Sequence, residues 1–563
     1  MTRIIGIGHQ DFEKLRQRDN FYVDKTDFIR EWWESDDEVT LITRPRRFGK
    51  TLCMSMLEKF FSVNYTGRSE LFEGLSIWSE KKYRKLQGTY PVIALSFADV
   101  KEVSFIQTRK KICQIIKNIY NKYDFLLDGH LLNDSEKEDF RKITADMEDY
   151  EASLSIKMLS DFLCRFYGRR VIILLDEYDT PMQEAYVNGY WKELTAFTRS
   201  FFNATFKNNP YMERAIMTGI TRVSKESVFS DLNNLEIVTT TSDKYTTAFG
   251  FNEAEVFQAL DEFGLGDSKA VVKSWYDGFT FGSKTDIYNP WSILNYLDKK
   301  RLAPYWAYTS SNSLVDKLVR EGNKSIKQEF EQLLCGNAIT VEIDEQVVYD
   351  QLSTKKGAIW SLLLAAGYLR VASEQFDERT GSRSYGLTIT NKEVQMMFEN
   401  MVRDWFSEHD DDYNDFIKAL LMGDVDAMNT YMNKVALATF SYFDTGKNPA
   451  GGEPERFYHG FVLGLMVELA DRYVLTSNRE SGFGRYDIML EPRQKGDAAI
   501  IIEFKVQNRC DEQKLSDTVK AALEQIKRKN YAASLMAKGI PAGDIREYGF
   551  AFRGKEVLIG DGH

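Results

Sequence analysis

The stretch RRVIILLDEYD, at residues 169–179, constrains the fold more than any other feature of this sequence. Its centre is apolar at every position instead of at alternate ones. Such a run is typical of a strand buried on both faces, as in a parallel sheet that helices cover on both sides. Comparable strand-like runs at 38–43, 90–99 and 213–222 are separated by helical stretches. This alternation predicts a doubly wound α/β domain, which we assign to residues 1–251.

The segment RPRRFGKT, at residues 44–51, lies between the first predicted strand and a helix predicted over KTLCMSMLEKFFSV. A strand, a tight loop and a helix N-terminus form a phosphate-binding loop, in which backbone N–H groups and the helix dipole hold phosphates. Gly49 stands where the backbone must approach phosphate closely. Lys50 can reach the β and γ oxygens of ATP, and the Thr51 hydroxyl can bind Mg²⁺. The sequence therefore predicts ATP and Mg²⁺ as cofactors.

Three arginines belong to this loop. Arg44 stands where the common pattern of such loops has glycine, and Arg46 and Arg47 follow it. The replacement removes a flexible turn residue but adds a cation. We expect all three guanidinium groups to lie near the phosphates, which they are suited to bind.

Two acidic residues, Asp176 and Glu177, end the apolar run. Beside a phosphate-binding loop, the first acid would help to hold Mg²⁺, and the second would orient and polarise the attacking water. The alternative is a pair of solvated acids at a strand end. In the next strand, TGITR offers Thr218 or Thr221 to sense the γ-phosphate and Arg222 to stabilise transferred charge. A structural salt bridge is the alternative for Arg222.

Several separate blocks of the first half resemble the bacterial AAA-ATPase-like family. They are YVDKTDFI, RPRRFGKT, LLDEYDTP, GITRVSKESVFSDLNNL and WYDGFTFG. In that family, arginine in the first position of the loop is the usual form. The resemblance therefore implies that Arg44 is a family variant and that the ATP site is intact.

The chain becomes mostly helical over residues 252–445, which we assign to a helical lid. Within it, the helix GAIWSLLLAAGYL precedes two strand-like runs that flank the charged tip EQFDERTGSR. A helix followed by a β-hairpin is the outline of a winged helix, and a plain structural hairpin packed on a helix is the alternative. The Gly- and Pro-rich stretch DTGKNPAGGEPE (444–455) is the best candidate for a linker. A third domain is predicted at residues 446–563.

Two strand-like runs in this last segment, GRYDIML and AAIIIEFKV, are joined by EPRQKGD, which we interpret as a hairpin turn. Because side chains alternate along a strand, Glu503 and Lys505 share one face, and Asp487 on the neighbouring strand can meet them. Two carboxylates can hold Mg²⁺ on a scissile phosphate, while the ammonium steadies the nucleophile or the developing charge. The alternative is a solvated face with a cross-strand ion pair. The apolar run Ile500–Ile502 favours the metal site, because acids at the end of a buried strand are uncommon unless used.

The arrangement of a helix at 453–470, this hairpin and a helix at 518–532 resembles the PD-(D/E)XK nuclease superfamily. Tyr486 precedes the aspartate, where the proline of the superfamily's name would stand. The resemblance implies that the catalytic and metal-binding residues are Asp487, Glu503, Lys505, Gln525 of the EQI…Y helix signature, and Glu455 on the first helix.

Composition limits the setting in which this chemistry takes place. The net charge is −11, but an acidic average does not exclude a local basic groove. The five cysteines lie far apart, and the N-terminus lacks the pattern of a signal peptide. No apolar run is long enough to span a membrane. These features predict a cytoplasmic location and no membrane partner.

Together, the two motif sets predict an ATP-controlled, Mg²⁺-dependent nuclease whose partner is nucleic acid, DNA in preference to RNA. A homo-oligomer is left open. The alternative function is an ATPase switch or sensor that binds protein or nucleic acid, with an inactive nuclease-like docking domain.

Overall fold

The protein is described here from a computed structural model. The structure describes residues 3–222, 229, 232–307, 309, 315, 318–319, 324–334, 336–343, 357–379, 381–407, 410–439, 462, 466, 469, 472–477, 480–481, 484–485, 487–494, 496–507, 512–553 and 556–562. The chain forms two compact units, residues 1–318 with 336–395, and residues 319–335 with 396–563. The division into three segments at 251 and 445 stays a prediction.

A parallel sheet forms the centre of the N-terminal part. Its strands are β1 (Val39–Thr43), β2 (Val92–Ser96), β3 (Val171–Asp176), β4 (Met212–Gly219) and β5 (Leu235–Val238). They are arranged in the order β2-β3-β4-β1-β5, with every neighbouring pair parallel. The predicted parallel α/β sheet is therefore confirmed. β4 lies between β1 and β3, so the carboxyl ends of all three strands meet at one edge of the sheet.

Helices surround this sheet. They are α1 (Phe12–Gln17), α2 (Asp27–Ser35), α3 (Lys50–Phe61), α4 (Lys81–Arg84), α5 (Phe105–Tyr120), α6 (Asp134–Lys142), α7 (Asp149–Tyr167), α8 (Thr180–Asn188) and α9 (Trp191–Phe206). Every residue of β3 is buried, as its unbroken apolar run predicts. The core joins the strands to α5, α7 and α9 through buried aromatic and aliphatic side chains. Burial of this apolar surface is the main force that holds the carboxyl edge in place.

The rest of the first unit contains two small antiparallel sheets. One has the order β6-β8-β7 and the other β10-β11-β9. Their strands are β6 (Phe251–Asn252), β7 (Phe279–Phe281), β8 (Lys284–Tyr288), β9 (Ile339–Glu342), β10 (Leu369–Asp377) and β11 (Ser382–Ile389). The helices are α10 (Glu253–Glu262), α11 (Lys269–Tyr276), α12 (Pro290–Lys299) and α14 (Ala358–Ala365), with α13 (Lys324–Leu334) in the second unit. The predicted helix and hairpin are present as α14, β10 and β11, and residues 372–377 of the hairpin are exposed.

The second unit is built on a mixed sheet with the order β12-β15-β16-β17-β18. Its strands, with the separate pair β13 and β14, are β12 (Tyr473–Ser477), β13 (Glu480–Ser481), β14 (Gly484–Arg485), β15 (Ile488–Pro492), β16 (Ala499–Val506), β17 (Ile545–Arg553) and β18 (Glu556–Asp561). The helices are α15 (Lys392–Ser407), most of which lies in this unit, α16 (Asp410–Met422), α17 (Val425–Thr439), α18 (Leu515–Lys529) and α19 (Ala533–Ala537). β15 and β16 form the predicted antiparallel hairpin. The linker predicted at 444–455 lies outside the described residues.

Two asparagines of α17 cover the edge of this sheet. Asn429 donates from Nδ2 to the carbonyl of Ile559 and accepts from its N–H at 2.9 and 2.7 Å. Asn433, one turn further, makes the same pair of bonds to Val557 at 2.7 and 3.0 Å. A spacing of i, i+4 on a helix matches i, i+2 on a strand closely enough for both amides to imitate a pairing strand. The N–H and C=O groups of Ile559 and Val557, at the outer edge of β18, thereby have hydrogen-bond partners.

Across the described ranges of both units, no helix combines the length and the apolar character that crossing a bilayer would require.

Candidate active sites

The loop between β1 and α3 has the backbone geometry of an anion cradle. Arg47 adopts a φ of 66°, and Gly49 adopts a φ of 85° as the N-cap of α3. A Cβ added to Gly49 would meet nothing within 4 Å, so its left-handed conformation, not crowding, favours glycine there. Left-handed residues within a loop turn successive N–H groups toward a common centre, and the N-terminus of α3 adds its dipole.

Lys50 lies across this loop. Its side chain is buried, and Nζ donates to the carbonyls of Arg44 and Pro45 at 2.9 and 3.0 Å. Burial lowers the pKa of the ammonium, while the negative charges of Glu177, Asp179 and Asp176 oppose that change. The ammonium is therefore held inside the loop and faces the acids at the end of β3.

Thr51 and Asp176 contact each other, as a shared metal site requires. The Thr51 hydroxyl donates to Asp176 Oδ2 at 2.8 Å, and the Thr218 hydroxyl donates to Asp176 Oδ1. Burial raises the pKa of Asp176, and the two hydroxyl bonds and Lys50 counteract it. A hydroxyl oxygen and a carboxylate form a donor set that suits Mg²⁺. These residues therefore fit the predicted cation.

Glu177 follows with a φ of 51°, a left-handed conformation that is uncommon for a residue with a side chain. Its N–H donates to Thr218 Oγ1 at 3.3 Å, and its carboxylate accepts from Thr180 Oγ1 at 3.1 Å. Unlike buried Asp176, Glu177 is partly exposed. Strained backbone at such a position is typical of functional sites. Glu177 thus has the accessibility that a water-orienting acid needs.

Asp179 was not assigned a role by the sequence, although LLDEYDTP contains it. This buried carboxylate accepts on Oδ2 from the N–H groups of Ile220 and Thr221 at 3.0 and 2.8 Å, and from the Thr221 hydroxyl at 2.9 Å. A Cβ on Gly219 would lie 2.7 Å from Asp179 Oδ1, so only glycine fits beside it. Asp179 therefore fixes the turn after β4, and Thr221 belongs to that fixed turn.

The three loop arginines are placed differently from one another. The Arg44 guanidinium is completely buried, donates to the carbonyls of Thr43, Thr239 and Lys244 at 2.9, 2.6 and 3.3 Å, and packs 4.4 Å from the centre of the Phe281 ring. Burial lowers its pKa to about 9, so it stays charged at neutral pH. This placement differs from the expectation of a cation beside the phosphates, because both terminal nitrogens of the guanidinium donate to backbone carbonyls instead.

Arg46 and Arg47 lie on the exposed side of the loop. Arg46 donates to Gln183 Oε1 at 3.2 Å, and Arg47 stacks on Trp291 with its guanidinium carbon 4.3 Å from the ring centre. Arg222 lines a small cavity together with Phe229 and Ile237, the latter from β5. The first two remain available to an anionic ligand, and the assignment of Arg222 to transferred charge stays a prediction.

A second candidate site lies in the C-terminal sheet. Glu503 is 2% exposed on β16, and the register that pairs Ile488 with Ile502 sets Asp487 opposite it. Asp487 Oδ2 accepts from the N–H of Phe504 at 2.8 Å. The structure therefore brings the two predicted acids together across neighbouring strands. Asp487 is partly exposed, whereas Glu503 is buried. Two neighbouring carboxylates repel each other, and a divalent cation between them would offset that cost.

Helix α18 completes this site. Gln525 accepts from Lys505 Nζ at 2.9 Å through Oε1 and donates to Glu503 Oε1 through Nε2. It also donates to the hydroxyl of Tyr531 at 3.3 Å. Burial raises the pKa of Tyr531, and the charges of Glu503 and Asp487 raise it further. Tyr531 is the tyrosine of the EQI…Y signature. The signature therefore pointed to this residue, although no role was assigned to it from the sequence.

The donor set of this site fits a hard divalent cation, since carboxylate oxygens are the ligands that such ions prefer. The described residues hold two acids here, and nowhere in the described part of the chain do three or more His, Cys, Asp or Glu side chains form a group that could hold a metal. Glu455, predicted as a third acid, lies outside the described residues.

With this geometry established, two family models match the chain. Residues 6–229 match the family described as predicted AAA-ATPase, AAA-ATPase-like. Residues 453–562 match the PD-(D/E)XK nuclease superfamily. The chain therefore carries an AAA-ATPase-like domain followed by a domain of the PD-(D/E)XK nuclease superfamily, as the sequence motifs predicted. These domains support ATPase and nuclease-like roles and generally use nucleotide and a divalent metal.

A protein of Azotobacter chroococcum mcd 1, "Uncharacterized protein in vnfD 5'region", is 25% identical to this chain over 397 residues. The alignment covers 69% of this chain and 68% of that protein.

Proposed function

We propose that the protein binds and hydrolyses ATP in its N-terminal domain. The buried ammonium of Lys50 beside an anion-binding backbone supports phosphate binding. Thr51 and Asp176 would hold Mg²⁺, which when bound neutralises phosphate charge. Glu177, partly exposed and next in sequence, would orient the attacking water. Exposed Arg46 and Arg47 would add positive charge at the mouth of the loop.

We further propose that the C-terminal domain hydrolyses nucleic-acid phosphodiesters. The observation that carries this proposal is the link through Gln525, which joins Glu503 to Lys505 beside Asp487. A cation held by the two acids would activate water and neutralise the scissile phosphate. Lys505, already oriented by Gln525, would stabilise charge that develops on the phosphate oxygens.

The substrate that we propose is DNA in preference to RNA. Exposed Lys520, Lys527 and Arg528 on α18 supply positive charge on the helix that carries Gln525. Such charges bind phosphate backbones without regard to sequence. ATP control of cleavage and a cytoplasmic location complete this proposal.

The experiment is cleavage of double-stranded DNA, single-stranded DNA and RNA by the purified full chain, with Mg²⁺ or Mn²⁺, with and without ATP. The Asp487→Asn variant keeps the shape and an oxygen acceptor for the N–H of Phe504 but removes the charge. We expect it to lose at least about 100-fold in cleavage rate, as for groups that act on the reacting centre. The matched control is Glu491→Gln, because Glu491 lies on β15, which begins directly after Asp487, and pairs with Lys538 instead.

Cleavage that is equal in wild type and in Asp487→Asn would rule out this site as the source of the activity. ATP hydrolysis without cleavage of any of the three substrates would instead favour the ATPase switch with an inactive nuclease-like domain.

A further inference from the structure

Two carbonyls of the phosphate-binding loop accept hydrogen bonds from residues that are far away in the sequence. The carbonyl of Arg46 accepts from Trp306 Nε1 at 3.0 Å and from Asn289 Nδ2 at 3.3 Å. The carbonyl of Phe48 accepts from the N–H of Gly250 at 3.2 Å. All these donors belong to the first compact unit, and they come after the central sheet in sequence.

These bonds determine where the loop's N–H groups point. In a planar trans peptide, the C=O of one residue and the N–H of the next point in opposite directions. Fixing the carbonyl of Arg46 toward Trp306 therefore turns the N–H of Arg47 the other way. The same argument applies to the N–H of Gly49, since the carbonyl of Phe48 is fixed by Gly250. Arg47 and Gly49 are the two left-handed residues of the loop, so the bonds act on the peptides that form the anion cradle.

Trp306 is itself held rigidly. Its ring packs against Phe279 and Tyr368, with ring centres 5.4 and 5.5 Å apart. Its backbone N–H donates to Glu393 Oε1 at 2.5 Å, and Ser292 Oγ donates to Glu393 Oε2 at 2.9 Å. Glu393 is 0% exposed, and a buried carboxylate of this kind is costly unless donors surround it. The acid thus anchors the tryptophan that in turn holds the loop.

We propose that Trp306 and Glu393 are positioning residues of the phosphate-binding loop, which pre-orient its N–H groups for the phosphates of a nucleotide. This inference rests on the proposed ATP-binding function, and it names the residues outside the loop on which affinity depends. Pre-orientation raises affinity because the loop loses less conformational freedom when the ligand binds.

The test is the Trp306→Phe variant of the full chain, which keeps an aromatic ring and removes the Nε1 donor. Without this bond the free loop has to be ordered when the ligand binds. An ordering cost equal to one net hydrogen bond predicts a Kd for Mg²⁺-ATP that is about fivefold higher than in wild type. Hydrogen–deuterium exchange of the peptide covering residues 44–50, measured without nucleotide, should become faster. Trp78→Phe is the matched control, because Trp78 packs on Phe72 away from the loop's bonds, and it should change neither quantity.

Glu393→Gln keeps an acceptor for the N–H of Trp306, so the hydrogen–deuterium exchange of the loop peptide should stay near the wild-type rate. Glu393→Ala removes this acceptor, and its loop peptide should exchange faster, as in Trp306→Phe. Unchanged loop exchange in a folded Trp306→Phe variant would overturn the inference, and so would unchanged Mg²⁺-ATP affinity. If wild type binds no ATP, the proposed function fails, while the exchange of the free loop still decides whether Trp306 positions it.

Discussion

Replacing Arg44 with glycine, the residue more common in phosphate-binding loops, is expected to damage this protein instead of improving it. The guanidinium satisfies the carbonyls of Thr43, Thr239 and Lys244 in a site with no solvent exposure. Leaving a buried acceptor without a partner costs about 1–3 kcal/mol. Water can enter part of the space that the side chain vacates, so we take the lower end for each carbonyl. The free energy of unfolding should therefore fall by about 3 kcal/mol.

Urea unfolding of the full chain, followed by circular dichroism, measures this change as a lower midpoint of the transition that involves the first unit. Arg46→Ala, an exposed arginine of the same loop with a single bond to Gln183, should stay within about 0.5 kcal/mol of wild type. An Arg44→Gly protein that unfolds at the wild-type urea concentration and binds ATP more tightly would refute the bracing role of Arg44.

Three further outcomes follow from individual contacts. Burial raises the pKa of Glu393 to about 7. The stability that the protonated carboxyl contributes is therefore fully present below its ordinary pKa and is lost as the pH rises through 7. Urea unfolding from pH 5 to 8 should show that the free energy of unfolding of wild type falls relative to that of Glu393→Gln. Asn429→Ala frees the N–H and carbonyl of Ile559 at the edge of β18 and should lower the free energy of unfolding by about 1–2 kcal/mol in the same assay. Gln525→Ala removes the link between Glu503 and Lys505 and should slow DNA cleavage about 10–100-fold, measured against Glu491→Gln.

Much of the fold could be predicted from periodicity. The apolar run of β3 and the alternation of strands with helices predicted the parallel sheet, and strand alternation predicted that Asp487 faces Glu503. The short strand β5 and the three strands β6, β7 and β8 were missed. The strands β5, β6 and β7 have four residues or fewer, which is too short to show a period. β5 and β6 also pair with strands that are remote in sequence.

The candidate sites were predictable where a local motif carries the chemistry. Lys50, Thr51 and Asp176 come together because parallel strands end at a common edge. The burial of Arg44 was not predictable, since two of its three carbonyl partners, Thr239 and Lys244, lie about 200 residues further along the chain. Trp306 and Glu393 likewise have no local signature, because their role depends on contacts between distant segments.

ATP control of the nuclease is tested by the rate of Mg²⁺-dependent DNA cleavage by wild type and by Lys50→Ala, each measured with and without ATP. Lys50 lies in the AAA-ATPase-like domain, and Asp487 lies in the domain of the PD-(D/E)XK nuclease superfamily. We predict that ATP changes the cleavage rate of wild type and that the cleavage rate of Lys50→Ala no longer responds to ATP. A Lys50→Ala protein that responds to ATP as wild type does, or a wild-type protein that cleaves no nucleic acid under any nucleotide condition, would contradict it.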